Sequence, residues 1–416
     1  MVESMECCKL EQVLAAFVEL KGLLDQAHRQ GDPLHVVEQC LREWGRKMSL
    51  LALEAYIKMH GTGDVGPTSV LPGGAEMDRL PETKLRPYLS VFGLVNIERT
   101  VYSAGNHQRE DAPLDALLGL PEGKFSFLLQ DFAQLLGVDL AWAKDREVLE
   151  RLLGTRIPVS SLEDMNRRMA AGVPEYRQQR ESPPIEQEGA ILVASGDGKG
   201  IVMRKPQSES EQPAPSILPP ATKGPPPGRK NMSVVGTLYL PTGGHPDDAD
   251  ILDIMHVAEY LWDAAAVLET HREYQEAFFH DKLGRILQGE VRAVITNLRL
   301  LATRRQVRGE KLKTIAATCH YFEHNANRMR YDEYLRKGYP IGSGAVEGAC
   351  RHLVKDRLER TGMHWVREGA QAMLNLRSLW INEEWDDYQQ YHVDTELDRL
   401  YPDRKSLIQR QLRTLP

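Results

Sequence analysis

Apolar residues recur at helical spacing from Leu10 to Met59: Leu10, Val13, Leu14, Phe17, Leu20 and Leu24, then Leu41, Trp44, Met48, Leu51 and Ala55, on either side of Gly31-Asp32-Pro33. The spacing predicts two amphipathic helices joined at that break, an element for packing or oligomerisation. Between Tyr88 and Tyr102 the pattern changes to alternation, YLSVFGLVNIERTVY, which predicts two short strands across Gly93. Helical spacing returns at Asp145 to Leu153, with Gly154 placed to end that helix. A second helix is expected after Pro158, with Ser160 or Ser161 as N-cap and Glu163 or Asp164 three residues on. With Asn166, Arg167 and Arg168 on that helix, the outline suits a helix-turn-helix entering a major groove; a plain helical hairpin with surface arginines has the same outline.

Further on, GAILVASGDGKGIV contains the apolar run Ala190 to Ala194, a buried strand by its pattern, with Asp197 expected just past its end. Eight prolines between Pro206 and Pro227 mark a stretch that cannot build a core, and SVVGTLYL (Ser233 to Leu240) follows as a second strand. A long loop thus joins two neighbouring strands of one sheet. After Gly243-Gly244, ADILDIMH predicts a third short strand ending near Asp253 and His256. The remainder is mainly helical, interrupted by GYPIGSGAVEG (Gly338 to Gly348) and by the Pro-containing tail beyond Tyr401.

Composition narrows the class. A chain of 416 residues, 42% hydrophobic and 27% charged, has the material for two or three domains and is not disordered throughout. A net charge of −7 gives no global field for a polyanion, so nucleic-acid binding has to be local. Lys282 to Arg377 supplies that locality, with 19 Lys and Arg against 9 Asp and Glu. The five cysteines form neither a C-x-x-C pair nor a zinc spacing and read as reduced, structural thiols. Acids in MVESMECCKLEQ and the lack of any apolar run of about 20 residues lead to the expectation of a soluble, cytoplasmic protein with no membrane partner.

Three acids stand out. Asp197, a Gly-flanked carboxylate at a strand end, is where an α/β sheet presents a metal ligand, although Asp-Gly is also a favoured hairpin turn. Glu347 lies among three glycines where a helical pattern resumes (EGACRHLVKDRLER), on a first turn whose dipole favours an ionised acid. Counting by four adds Arg351 and Lys355 to its face, cations suited to phosphate oxygens; a good first-turn acid above a solvated basic stripe would look alike. Asp253 and His256 form D-x-x-H at a strand-to-helix junction, a spacing equally open to a shared metal and to a capping Asp beside a half-buried His.

These residues together resemble the ISKra-type insertion-sequence transposases, DDE enzymes with a ribonuclease H-like catalytic core. The likeness is densest in MRYDEYLRKGYPIGSGAVEGACRHLVKDRLERTGMHWVREGAQAMLNLRSLWINEEW (Met329 to Trp385) and looser in ILDIMHVAEYLWDAA, ILVASGDGKGIVMR and LPEGKFSFLLQDFAQLLG. It implies DNA transposition: hydrolysis and strand transfer at insertion-sequence ends by three carboxylates and two divalent ions, Mg²⁺ or Mn²⁺. Asp197 and Glu347 would be catalytic metal ligands, and Arg351, Lys355 and the stretch Arg292 to Lys313, including Arg304 and Arg305, would hold phosphates. Partners would be duplex DNA and further copies of the chain, in a cytoplasmic, nucleoid-associated setting. The expected fold is α/β: an N-terminal helical region (1–80), a small β element with the helix-turn-helix outline (81–180), the first part of a ribonuclease H-like core (189–256) with a Pro-rich loop (205–231), a helical insertion (257–337), the Glu347 helix and C-terminal part of the core (338–392), and a tail (393–416).

One departure from the family pattern matters. Relatives place another strand, ending in the second catalytic acid, between those resembling SVVGTLYL and ADILDIMH, whereas here only Pro241 to Asp248 separates the two. Either Asp253, ahead of Asp248 and Asp250, serves as second acid, or the chain is an internally deleted transposase that binds DNA or its own copies without cutting.

Overall fold

The computed structural model describes residues 3–70, 76–104, 109–180, 193–204, 230–239, 249–342, 344–360 and 363–414. The protein is mixed α/β, 66% helical with small sheets. It divides into two units, Met1–Arg180 with Val366–Pro416, and Glu181–Trp365. One boundary between the units falls after Trp365, within the stretch 338–392.

In the first unit, α1 (Glu3–Gln30) and α2 (Leu34–Met59) are the expected helical pair. Gly31 turns the chain between them at φ +66°, a left-handed conformation that glycine adopts without a Cβ clash. Next come β1 (Thr68–Val70), β2 (Glu76–Arg79), β3 (Lys84–Ser90), β4 (Gly93–Arg99), β5 (Tyr102–Ala104) and β6 (Arg109–Asp111). β3 and β4 are the two strands that the alternation predicts, antiparallel from Lys84 opposite Arg99 to Ser90 opposite Gly93. The others form an antiparallel sheet in the order β1-β2-β5-β6, whose strands of three or four residues are too short to leave a period in the sequence.

Helices α3 (Pro113–Leu118), α4 (Phe127–Gly137), α5 (Trp142–Leu153), α6 (Val159–Ala170) and α7 (Val173–Gln179) follow. α5 ends at Gly154 in the left-handed conformation, as expected. The start of α6 corrects the sequence reading: the serine caps do not form, and Pro158 is the N-cap. Its extended backbone (φ −60°, ψ 142°) suits that position, and its carbonyl accepts from the amides of Ser161 and Leu162.

The second unit opens with β7 (Val193–Val202) and β8 (Lys230–Tyr239), antiparallel over ten residues with Asp197 opposite Val235. Asp197 is thus in mid-strand and not beyond a strand end, because main-chain pairing continues through GDGKG where apolar patterning stops. The Pro-rich loop lies outside the described residues apart from Lys230 and Asn231, which begin β8, and residues 190–192 of the expected strand also lie outside them. The third strand expected at ADILDIMH is not formed; 249–253 has no strand pairing, and α8 (Ile254–Leu268) starts at once. Leu252 is held instead through its amide to the Arg328 carbonyl and through its carbonyl, which accepts from the Tyr331 hydroxyl at 2.8 Å.

α8, α9 (Arg272–Leu287), α10 (Val291–Arg304), α11 (Glu310–Asn325) and α12 (Tyr331–Arg336) enclose a core built on Val257, Leu261, Val294, Leu298, Ile315 and Phe322. After it, α13 (Gly344–Ala349), a π-helical turn (Cys350–Lys355) and α14 (Asp356–Leu358) make one continuous helical run. The first unit is completed by α15 (Arg367–Ile381), α16 (Trp385–Leu400) and α17 (Arg404–Thr414). α15 packs along α6, sharing a core of Met169, Ala170, Ala372 and Leu376. Among the described residues no helix is long and apolar enough to cross a membrane.

Candidate functional site

Asp253 is the N-cap of α8. Oδ1 accepts from the Met255 amide at 2.9 Å, and Oδ2 lies 3.2 Å from His256 Nδ1. The carboxyl is 15% exposed, whereas the His256 ring is largely open to solvent. Burial pushes the hydroxyl pKa of Tyr331 up and the Asp253 charge adds to it; burial also raises that of Tyr321, with the Asp253 charge a lesser contributor in the same direction. Asp253 therefore sits at the aromatic end of the helical core, with its extended φ and ψ fitted to a cap.

The glycine-rich segment meets this acid. Ile341 accepts from the Ile254 amide at 2.9 Å. A Cβ placed on Gly342 would lie 3.9 Å from Asp253 Oδ1 and 3.5 Å from Ile254 Cγ2, so the backbone passes directly beside the cap. Two residues later α13 begins. It lies against both β7 and β8, and the π-helical turn after it also lies against β7. Glu347, in the first turn of α13, is exposed and has no hydrogen bond or ion pair among the described residues. The side chain of Asp197 lies outside the described residues; its backbone is in β7, one of the strands on which α13 rests.

The far end of the run is fastened firmly. Trp365 donates its amide to the Val202 carbonyl at 3.0 Å and accepts from the Arg204 amide at 2.8 Å, extending β7 by a parallel bridge. Under it lies Arg357, fully buried, its guanidinium 5.1 Å from the Trp365 ring and Nη1 3.5 Å from Met363 Sδ. Lys199 on β7 faces Glu359 at 3.8 Å. Trp365 is thus part of the core, and Arg357, which the sequence pattern does not single out, anchors the helix behind Glu347. Nothing in its spacing separates it from the surface cations beside it.

The expected phosphate contacts fall into two groups. Arg351 and Lys355 are exposed and, like Glu347, have no ion-pair partner among the described residues. The π-helical turn gives this stretch a wider pitch than the count by four assumes, yet all three side chains face solvent. Arg304 is exposed as well, while Arg305 pairs with Glu269 at 2.7 Å and donates to the Leu268 carbonyl. In the first unit Arg167 pairs with Asp164, Arg168 is exposed, and Asn166 is buried against Gln134 at 3.0 Å, out of reach of any base edge. Asp250 pairs with Arg328 at 2.9 Å, and Asp248 lies outside the described residues.

Carboxylate oxygens are the donors that a hard divalent ion takes. Glu347 offers both of its oxygens, whereas each Asp253 oxygen already accepts or shares a hydrogen bond. Among the described residues no three His, Cys, Asp or Glu side chains gather at metal-ligand spacing, a set that does not include the Asp197 side chain. The Glu347 carboxylate is of the donor type that Mg²⁺ or Mn²⁺ takes. The chain matches no protein-family model and no curated protein.

Proposed function

We propose that the protein is a DNA transposase of the kind its sequence resembles, built on a reduced ribonuclease H-like core, acting on duplex DNA at insertion-sequence ends as an assembly of copies. The observation that carries the reading is the helical run from Gly344. It turns Glu347, Arg351 and Lys355 to solvent without ion-pair partners among the described residues, it rests on the strand that contains Asp197, and the loop leading into it passes beside Asp253. An acid followed by cations on one run is an arrangement for a phosphodiester: the acid for the reacting end, the cations for neighbouring phosphates.

Asp197 and Glu347 would hold the divalent ions, with Asp253 the second acid. A bound Mg²⁺ supplies Lewis-acid activation of the attacking oxygen and charge relief for the leaving one. The chain's own part is to position: Arg357 and Trp365 fix the helix from behind, and Arg351 and Lys355 hold the backbone in register.

A specific observation favours a second reading. Both oxygens of Asp253 are engaged in capping α8 and ordering His256, which suits a chain that binds DNA but cuts it poorly. One experiment separates the two: Mg²⁺- or Mn²⁺-dependent nicking of end-containing duplex by wild type, Asp197→Ala and Glu347→Gln. Nicking that drops by about a thousand-fold or more in both variants supports the enzyme. Binding without nicking in wild type supports the binder. Each lost phosphate contact should flatten the log–log salt dependence by about 0.9, so Arg351→Ala and Lys355→Ala should each do so; a salt-independent wild type would remove DNA as the partner.

A further inference from the structure

Helix α1 has α2 as its main neighbour, and the pair is only half covered. Phe17 packs edge-on to Trp44 at a ring separation of 5.4 Å, and the Trp44 indole donates to the Ala16 carbonyl at 2.9 Å, so the two helices are joined. A stripe beside that seam stays open. Phe17 and Leu24, one heptad apart on α1, are 57% and 39% exposed, and Leu34 and Leu41, one heptad apart on α2, are 83% and 39% exposed. Leu24 and Leu41 line the same hollow between the helices, so the stripes adjoin, and Leu14 and Val18 widen them on α1. A helical pair gains its stability from burying such stripes, and two stacked pairs close them into a four-helix bundle.

We infer that the α1–α2 pair docks on the same pair of a second copy of this chain, around a two-fold axis, as a four-helix bundle. Two features select a second copy as the occupant. The first is area: six side chains, each exposing on the order of 100 Å², give roughly 600 Å² per copy, near the one-sided area of a standard interface once the flanks are counted. The second is charge. Lys21 stands four residues after Phe17 and three before Leu24, and Glu38 stands four after Leu34 and three before Leu41. Both are exposed and without ion-pair partners among the described residues. Opposite charges at the same place beside the two stripes are self-complementary when α1 of one copy lies against α2 of the other. The seam is read from α1 and α2 alone and stands whether or not the protein cuts DNA.

Sedimentation equilibrium of the full chain tests it. Wild type should be dimeric at micromolar concentration, and Phe17→Glu with Leu24→Glu should be monomeric while far-ultraviolet dichroism keeps its helical amplitude. Lys21→Glu and Glu38→Lys should each weaken the dimer about three- to ten-fold, and the double reversal should restore it. A monomeric wild type overturns the inference, as does a dimer that survives Phe17→Glu with Leu24→Glu. Single reversals without effect, or a double reversal that fails to restore, overturn the proposed register. The reversal pair keeps the test decisive should the glutamate variants unfold, since surface charge changes leave folding intact.

Discussion

The two units treat their conspicuous acids in opposite ways. In the first, Asp115 on α3 is buried and meets two guanidinium groups, Arg86 of β3 at 2.5 Å and Arg99 of β4. Arg86 also donates to the carbonyl of Gly123, so one acid ties the β3–β4 hairpin to α3 and to the chain beyond it. In the second, Glu347 stands on the surface of α13 with no hydrogen bond or ion pair among the described residues, and Arg351 and Lys355 after it are likewise exposed with no ion-pair partner among them. A charge that serves the fold is taken out of water and given partners, because an unpaired buried charge is costly. A charge left open in water costs the fold nothing and keeps its binding capacity for something outside the chain.

That contrast can be broken by substitution. Asp115→Ala leaves Arg86 and Arg99 partly buried without their acid and should destabilise the first unit by about 3–5 kcal/mol in denaturant unfolding. Glu347→Gln should move the melting temperature by less than about 2 °C. Comparable losses of stability in the two variants would show that Glu347 is part of the fold and would remove the basis for assigning it to chemistry.

Asp253 lies between the extremes and sharpens the comparison. Asp253→Ala removes the cap of α8 and should cost about 1 kcal/mol, whereas Asp253→Asn, which caps as well as Asp, should cost little. The two variants also separate cap from ligand. Should Asp253→Asn keep both stability and DNA nicking, the residue is a cap alone; should it keep stability and lose nicking, its charge is needed by the reaction.

Legibility in the sequence followed the same division. The paired helices α1 and α2, the β3–β4 hairpin and the Gly154 stop could be read because period, alternation and a left-handed glycine are local properties. The short strands of the β1-β2-β5-β6 sheet are local too, but three residues carry no period. The missing third strand at ADILDIMH failed for another reason. Its apolar residues suit either state, and what decided the outcome was Asp253 capping a helix while Arg328 and Tyr331, some 80 residues on, took up the backbone of Leu252. At the candidate site the exposed Glu347, Arg351 and Lys355 stood out as a spaced motif, whereas the buried Arg357 depends on Trp365 and Met363, contacts that exist only after folding.

The smallest expected effect concerns a titratable group of the first unit that, like Asp115, belongs to the fold. His392 on α16 stacks on Tyr388 and meets Phe127 edge-on. Burial holds its pKa below the ordinary value of 6.5; the Glu396 charge opposes this, and Arg168 reinforces it. The folded protein thus resists the proton that the unfolded chain accepts, so stability is full above pH 6.5 and declines as pH falls below that value. Glu396 does not interfere in this window, since its hydrogen bond to Arg399 keeps its own titration below 4.5. Between pH 7.5 and 5.5 the wild type should lose more stability than His392→Phe, which keeps the ring packing and has no proton to gain. Equal losses in the two proteins would assign the pH dependence elsewhere and leave His392 as packing alone.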